Sequence, residues 1–245
     1  MGWCVDFDMK KVFTRGGIEL IAVVLGITIS LWIEDGKNKS LELKEQVSLL
    51  ENLKRSLNQD LEYAVKIEKL MDTCLVSQRY LIAFDCSNID TLENSTFSKH
   101  IENSTKGGWS FFPRYGVYRA LSQNNDLGLI ENDILKSRLI TLYDFIYKRY
   151  ENIDIVMENH YQYTYPKYLI DNYYGGLKNN NSPIDEEYLF NYKINKNKIC
   201  DGSLKKEILH INNITASAFK SVTRITIEVK EILELINSEL GRLII

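Results

Sequence analysis

The run from Leu20 to Ile33 (LIAVVLGITISLWI) is fourteen residues without a charge, and it restricts the fold more than any other feature of the chain. As a helix, at about 1.5 Å per residue, it covers only about 21 Å, short of a hydrocarbon core of about 30 Å. A crossing therefore has to recruit Val12 to Glu19 as well, and the predicted transmembrane helix is 12–33. Residues 1–11 are then an N-terminal tail and 34–245 a soluble α-helical domain. Arg15 precedes Glu19 by four residues on one face, where it can snorkel outward while pairing with the carboxylate. Trp32 suits an interfacial anchor. The run exits into Trp-Ile-Glu-Asp with no small-x-small cleavage site, which points to an uncleaved anchor. A buried helix of a soluble fold is the alternative.

Glu19, Ala22, Val23, Gly26, Ser30 and Ile33 share one helical stripe, small or polar, opposite Leu20, Val24, Ile27 and Leu31. In hydrocarbon, small residues and interhelical hydrogen bonds drive helix association, so the stripe is a self-association face. An ionisable residue within a span is a functional hypothesis by default. Two uses of the stripe stay open: a dimer contact, or a higher homo-oligomer, such as a tetramer, with Glu19 and Ser30 lining a narrow pore.

Beyond the anchor the composition is that of an ordinary folded protein, 44% hydrophobic and 26% charged. The net charge of −3 gives no global polybasic signal, so an anionic ligand would need a local cluster. Lys10, Lys11 and Arg15 before the span balance Lys37, Lys39 and Lys44 after it, a tie under the positive-inside rule. Cys4, Cys74, Cys86 and Cys200 have no zinc spacing. Unpaired thiols in a reducing compartment are expected, with a Cys74–Cys86 disulfide as competitor. Those three thiols tilt the expectation towards a cytoplasmic domain on a bacterial inner membrane.

Steps of three and four residues mark two long amphipathic helices. The first runs through Leu43, Val47, Leu50, Leu53, Leu57, Leu61, Ala64, Ile67, Met71 and Leu75, continuing from the membrane helix with little break. The second runs from Leu204 to Leu240, opened by Gly202-Ser203 and stopped at Gly241. They are expected to pack on each other as a bundle, with a coiled coil of residues 37–60 as the alternative. A third helix is predicted over Leu127–Tyr150, with Asn132-Asp133 near its start. A fourth, over Ile153–Tyr173, is interrupted near Pro166. Residues 175–202 read as a loop-like excursion, and 91–104 as short helical or irregular chain. The fold class is all-α.

No catalytic motif is found, and an enzyme is not expected. His100, His160 and His210 sit in unrelated segments, and Glu186-Glu187 reads as a solvated face; no metal or cofactor is implied. The most unusual stretch is Lys106 to Arg119 (KGGWSFFPRYGVYR). Cations beside aromatic faces suit stacked bases and phosphates. Trp109, Arg114, Tyr115, Tyr118 and Arg119 are therefore the candidate ligand-binding residues, with charge available from Lys136, Arg138, Lys148 and Arg149. The competing reading is a turn whose aromatics plug the end of the bundle.

Two segments, about a quarter of the chain, resemble an uncharacterised family of bacterial single-span membrane proteins. One is Gly17 to Glu34, with its glutamate, apolar run, glycine and Trp-acid exit. The other is Gly116 to Leu121 with Leu127 to Leu139, ending in Leu142-Tyr-Asp. The layout is also similar to that of the channel-forming membrane effector of the Hailong antiphage defence system, in which a partner nucleotidyltransferase makes DNA oligomers that hold the effector closed. That likeness implies a pore lined by Glu19, Gly26 and Ser30, and a nucleotide or short oligonucleotide bound near Arg114–Arg119. The expectation is thus a homo-oligomeric single-span effector, a gated ion pore controlled by its helical domain. The alternative is a non-conducting, membrane-anchored scaffold or sensor for a protein partner.

Overall fold

The computed structural model describes residues 9–91, 93–169, 173–178, 188–192, 200 and 202–244. Side chains are described from Val23 onward, except Asp90, Asn94, Ile244 and those of residues 173–192. Helix α1 is a single element, Met9–Ala83, 75 residues long, or about 110 Å. A short 3-10 turn, Cys86–Thr91, leads to α2, Asn94–Ser104. Helix α3 is Gly116–Gln123. Helices α4 (Asp133–Thr141), α5 (Lys148–Asn159) and α6 (Tyr165–Leu169) follow, joined end to end by π-helical turns at Leu142–Tyr147 and His160–Thr164. After an antiparallel pair, β1 (Tyr173–Lys178) and β2 (Tyr188–Tyr192), helix α7 runs from Ser203 to Ile244.

Helix α7 packs against the C-terminal part of α1. Their periodic apolar residues Leu50, Leu53, Leu57, Ala64, Ile67 and Met71 on α1, and Ile211, Ala218, Val222, Ile225, Val229 and Ile232 on α7, are all fully buried. Burial of each Leu or Ile side chain is worth about 2 kcal/mol before the entropy of ordering it. The apolar stripe therefore closes as an intramolecular bundle. Residues 23–45 of α1 stand outside it and are exposed, Leu43 included.

Several boundaries differ from expectation. The third helix begins at Asp133 rather than Leu127, because Asn132 accepts from the backbone N–H of Ile134 and Leu135 and so caps it there. No break separates the third and fourth helices. The π turn just before Pro166 widens the helix where proline lacks a donor and crowds the carbonyl four residues back. Gly241 does not end α7; Leu240 is buried, and Arg242 pairs with Glu239 and Glu131, holding the last turn in helix. Part of the excursion at 175–202 is not a loop but the β1–β2 hairpin.

The cysteines also depart from expectation. Cys86 and Cys200 form a disulfide with Cα atoms 5.9 Å apart. Cys74 is a free thiol in the core, so the Cys74–Cys86 bond is excluded. The bond joins the end of α1 to the start of α7, across 114 residues of sequence.

Among the described residues no helix is long and apolar enough to cross a membrane. The apolar run lies in α1, but of the predicted 12–33 span only residues 23–33 have described side chains.

Candidate functional site

The arginine-aromatic stretch folds as a strap across α1 and α5. Phe111 is buried, with its N–H donating to the Tyr150 hydroxyl at 3.1 Å. Tyr150 in turn donates to Asp154 at 3.0 Å. Tyr63 donates to the Ser110 carbonyl at 3.0 Å. The next turn is fixed by Asp60, a carboxylate on α1 with no exposed surface. It accepts from the Arg114 backbone N–H and guanidinium, and from the Tyr147 hydroxyl at 3.1 Å. Burial pushes the Asp60 carboxyl above its ordinary range, against the opposing pull of these donors.

The tyrosines of the strap point inward. Tyr118 is buried, stacks on Tyr143 with centroids 4.2 Å apart, and donates to Asp144 at 2.8 Å. Half-buried Tyr115 donates to Glu151 at 2.8 Å, under the Arg119 guanidinium. Burial and these carboxylates raise both phenols. Neither ring offers a free face for a stacked base; Phe111, Tyr115 and Tyr118 pack inward, but against the side of α1 and α5 rather than as a plug at the end of the bundle. Trp109 and Phe112 do stay exposed, at 57% and 64%.

What the strap leaves open is a shallow cleft of about 270 Å³ between α1 and the start of α3. Asn52, Arg55, Ser56 and Gln59 supply one wall, and Arg114, Gly116 and Val117 the other. Two arginines and two amide-bearing residues are thus among the lining, which contains no carboxylate. Asp60 lies against Arg114 and offsets part of its charge. Beneath the cleft, the Tyr143 hydroxyl is buried beside Ser56 without a well-formed hydrogen bond. Helix α3 starts there with no side-chain cap, so its first N–H groups also favour an anion.

The structure brings Arg114 into this cleft and keeps Trp109 outside its lining, with Arg119 on the exposed side of Tyr115. Sequence reasoning missed Arg55, Asn52 and Gln59, which read only as the polar face of α1. Of the supporting cations, Lys136 pairs with Asp133, Arg138 with Glu228 and Glu231, and Lys148 with Asp144. Arg149 is exposed. Residues 22, 23, 26, 30 and 33 are helical, as is residue 19. Val23, Ser30 and Ile33 are exposed and space is open around Gly26, while the side chains of Glu19 and Ala22 lie outside the described residues.

A second polar cluster is structural. Cys74, Gln78 and Thr215 converge on the Tyr161 hydroxyl, and Ser104 joins Tyr165. Burial pushes the Cys74 thiol up to about 11, so it is not nucleophilic at neutral pH. The histidines are less scattered than their segments suggest, since His160 pairs with Glu207 and lies 4.9 Å from His210. Even so, no group of three or more His, Cys, Asp or Glu among the described residues could hold a metal ion. His100 stacks on Tyr80 at 3.7 Å.

No family model, no curated protein and no solved structure matches this chain.

Proposed function

We propose that this chain is a membrane-anchored, self-associating helical effector. In this reading an anionic ligand or partner in the Arg55–Arg114 cleft is relayed along α1 to the N-terminal segments, which together line a narrow pore. The observation carrying this is the continuity of α1. Asn52, Arg55, Ser56 and Gln59 of the cleft lie on the same unbroken helix as residues 12–33. A rigid element shared by two sites is the simplest physical coupling between them.

Support for the anchor comes from Val23 to Ile33, where Val23, Val24, Leu25, Ile27, Ile29, Leu31, Trp32 and Ile33 are all more than half exposed. So much apolar surface calls for a cover, and a bilayer supplies it if the helix recruits residues 12–22. The Glu19 stripe would then meet other copies, since a lone carboxylate in hydrocarbon is costly.

The test is the mass of the particle purified in detergent, followed by conductance in a planar bilayer. A tetramer or larger ring that passes ions, with Glu19→Ala changing the conductance, is expected. A monomer in detergent together with a silent bilayer rejects the pore.

A scaffold remains the second reading, favoured by exposed Trp109 and Phe112 three residues apart, the residue types enriched in interface cores. A dimer whose Trp109→Ser variant loses a protein partner without any change in bilayer behaviour would select it.

A further inference from the structure

The cysteines bear on a question that the tied flanking charges leave open, namely which side of the membrane the bundle faces. Cys86 lies just past the end of α1 and Cys200 just before α7. Nothing in the local sequence requires them to meet. They are brought within bonding distance by the packing of the two long helices, with Lys205 donating to the Phe84 carbonyl at 3.2 Å beside them. Phe84, Leu204 and Ile208 pack around the same end of the bundle.

The remaining thiol of the bundle, Cys74, is sealed in the core and held by the Ser104 carbonyl and the Tyr161 hydroxyl. Every described cysteine is therefore either bonded or inaccessible. A chain kept in the cytosol has no need of such an arrangement, because its thiols are held reduced.

We infer that the helical bundle lies in an oxidising compartment, outside the cytoplasmic membrane, with the N-terminal tail inside. This rests on the anchor reading for its geometry, and it reverses the cytoplasmic placement suggested by the sequence. Lys10, Lys11 and Arg15 then act as the inside charges. The bond forms by exchange with a disulfide-bearing oxidoreductase of that compartment. One thiolate attacks the enzyme's disulfide, the other displaces the enzyme from the mixed disulfide, and the enzyme leaves as its dithiol with the two electrons and two protons. A bundle so placed would not meet an oligonucleotide made in the cytosol. The anions within its reach are extracytoplasmic ones.

The experiment uses the full chain in a bacterium, with alkaline phosphatase or a green fluorescent protein fused after Ile245. Because both reporters carry cysteines of their own, thiols are counted on the unfused chain: acid-trapped cells are denatured and treated with a maleimide-linked polymer before and after reduction. Two thiols, those of Cys4 and Cys74, are expected to react before reduction and four after it. Phosphatase activity is expected without fluorescence, and C86S is expected to expose the Cys200 thiol. Four reactive thiols before reduction, or a fluorescent fusion, overturns the inference. Carbonate extraction of the same cells separates this from the anchor reading: a bonded chain released to the soluble fraction sinks the anchor and leaves the oxidising compartment standing.

Discussion

Arg114 meets Asp60 twice, through its own backbone N–H at 3.2 Å and through its guanidinium at 3.3 Å, across 54 residues of sequence. The strap and α1 are thus joined at a carboxylate with no exposed surface. Asp60→Ala should cost about 3 kcal/mol, because it strands the Arg114 N–H and the Tyr147 hydroxyl inside the fold. Arg114→Ala should cost less, since half of that side chain is in solvent. Urea unfolding of the purified chain, followed by circular dichroism, reads both.

Two neighbouring tyrosines separate a bonded hydroxyl from an orphan. Tyr147 donates to Asp60, whereas the buried Tyr143 hydroxyl makes no well-formed hydrogen bond and has only Ser56 beside it. Tyr147→Phe is expected to lose about 1 kcal/mol, and Tyr143→Phe to be neutral or gain up to about 1 kcal/mol. Equal losses in the two urea midpoints would contradict the orphan.

Asp154 makes stability depend on pH. It is buried, and burial holds its carboxyl above the ordinary value of 3.8, outweighing the hydrogen bonds from Ser110 and Tyr150. The folded state therefore binds this proton more tightly than the unfolded chain does. The resulting stability is fully present below about 3.8 and is lost as pH rises through the raised value. Compared with Asp154→Asn, the native chain should lose ground as the pH is taken from 4 to 7. A difference between the two midpoints that does not vary with pH would refute this.

Gly107 has no room for a side chain. A Cβ there would overlap the Tyr161 hydroxyl and come within 2.9 Å of Cys74 Sγ. Gly107→Ala should cost about 2 kcal/mol by forcing Tyr161 off its partners. Gly128→Ala, where space is open, serves as the control and should be near neutral.

Opening the Cys86–Cys200 bond frees a loop of 114 residues in the unfolded chain. Cys86→Ser should lower stability by about 4 kcal/mol, and dithiothreitol should remove the difference from the native chain. Thermal melts with and without reductant give the comparison.

The parts of this fold legible in the sequence are those written in one helix at a time. Leu50, Leu53, Leu57, Ile67 and Met71 betray their burial by spacing alone, as do Ile211, Val222, Ile225 and Val229. Gly202 at φ +81 opens α7 as its sequence implied. Asp60 and Asp154 could not be found that way. Each lies among the polar residues of its helix, and partners brought in by the strap, Arg114 for Asp60 and Ser110 for Asp154, help make burial tolerable. The same holds for Arg55, whose importance depends on Arg114 arriving opposite, and for Cys200, whose bond depends on how α1 and α7 pack. Tyrosines 143, 147 and 150, at steps of four and three within the predicted third helix, fill the core at and beside a π-helical turn.

The exposed stretch of α1 between the apolar run and the bundle has a consequence of its own. A helix advances by about 100° per residue. One residue added anywhere in 34–45 would therefore swing the Glu19 stripe by roughly a quarter turn relative to the Arg55–Arg114 cleft, with nothing in the bundle disturbed. Seven residues would bring it back to within about 20°. If the two ends work together, the stretch between them is free in composition but not in length, and it can grow or shrink only by steps that keep its angular phase.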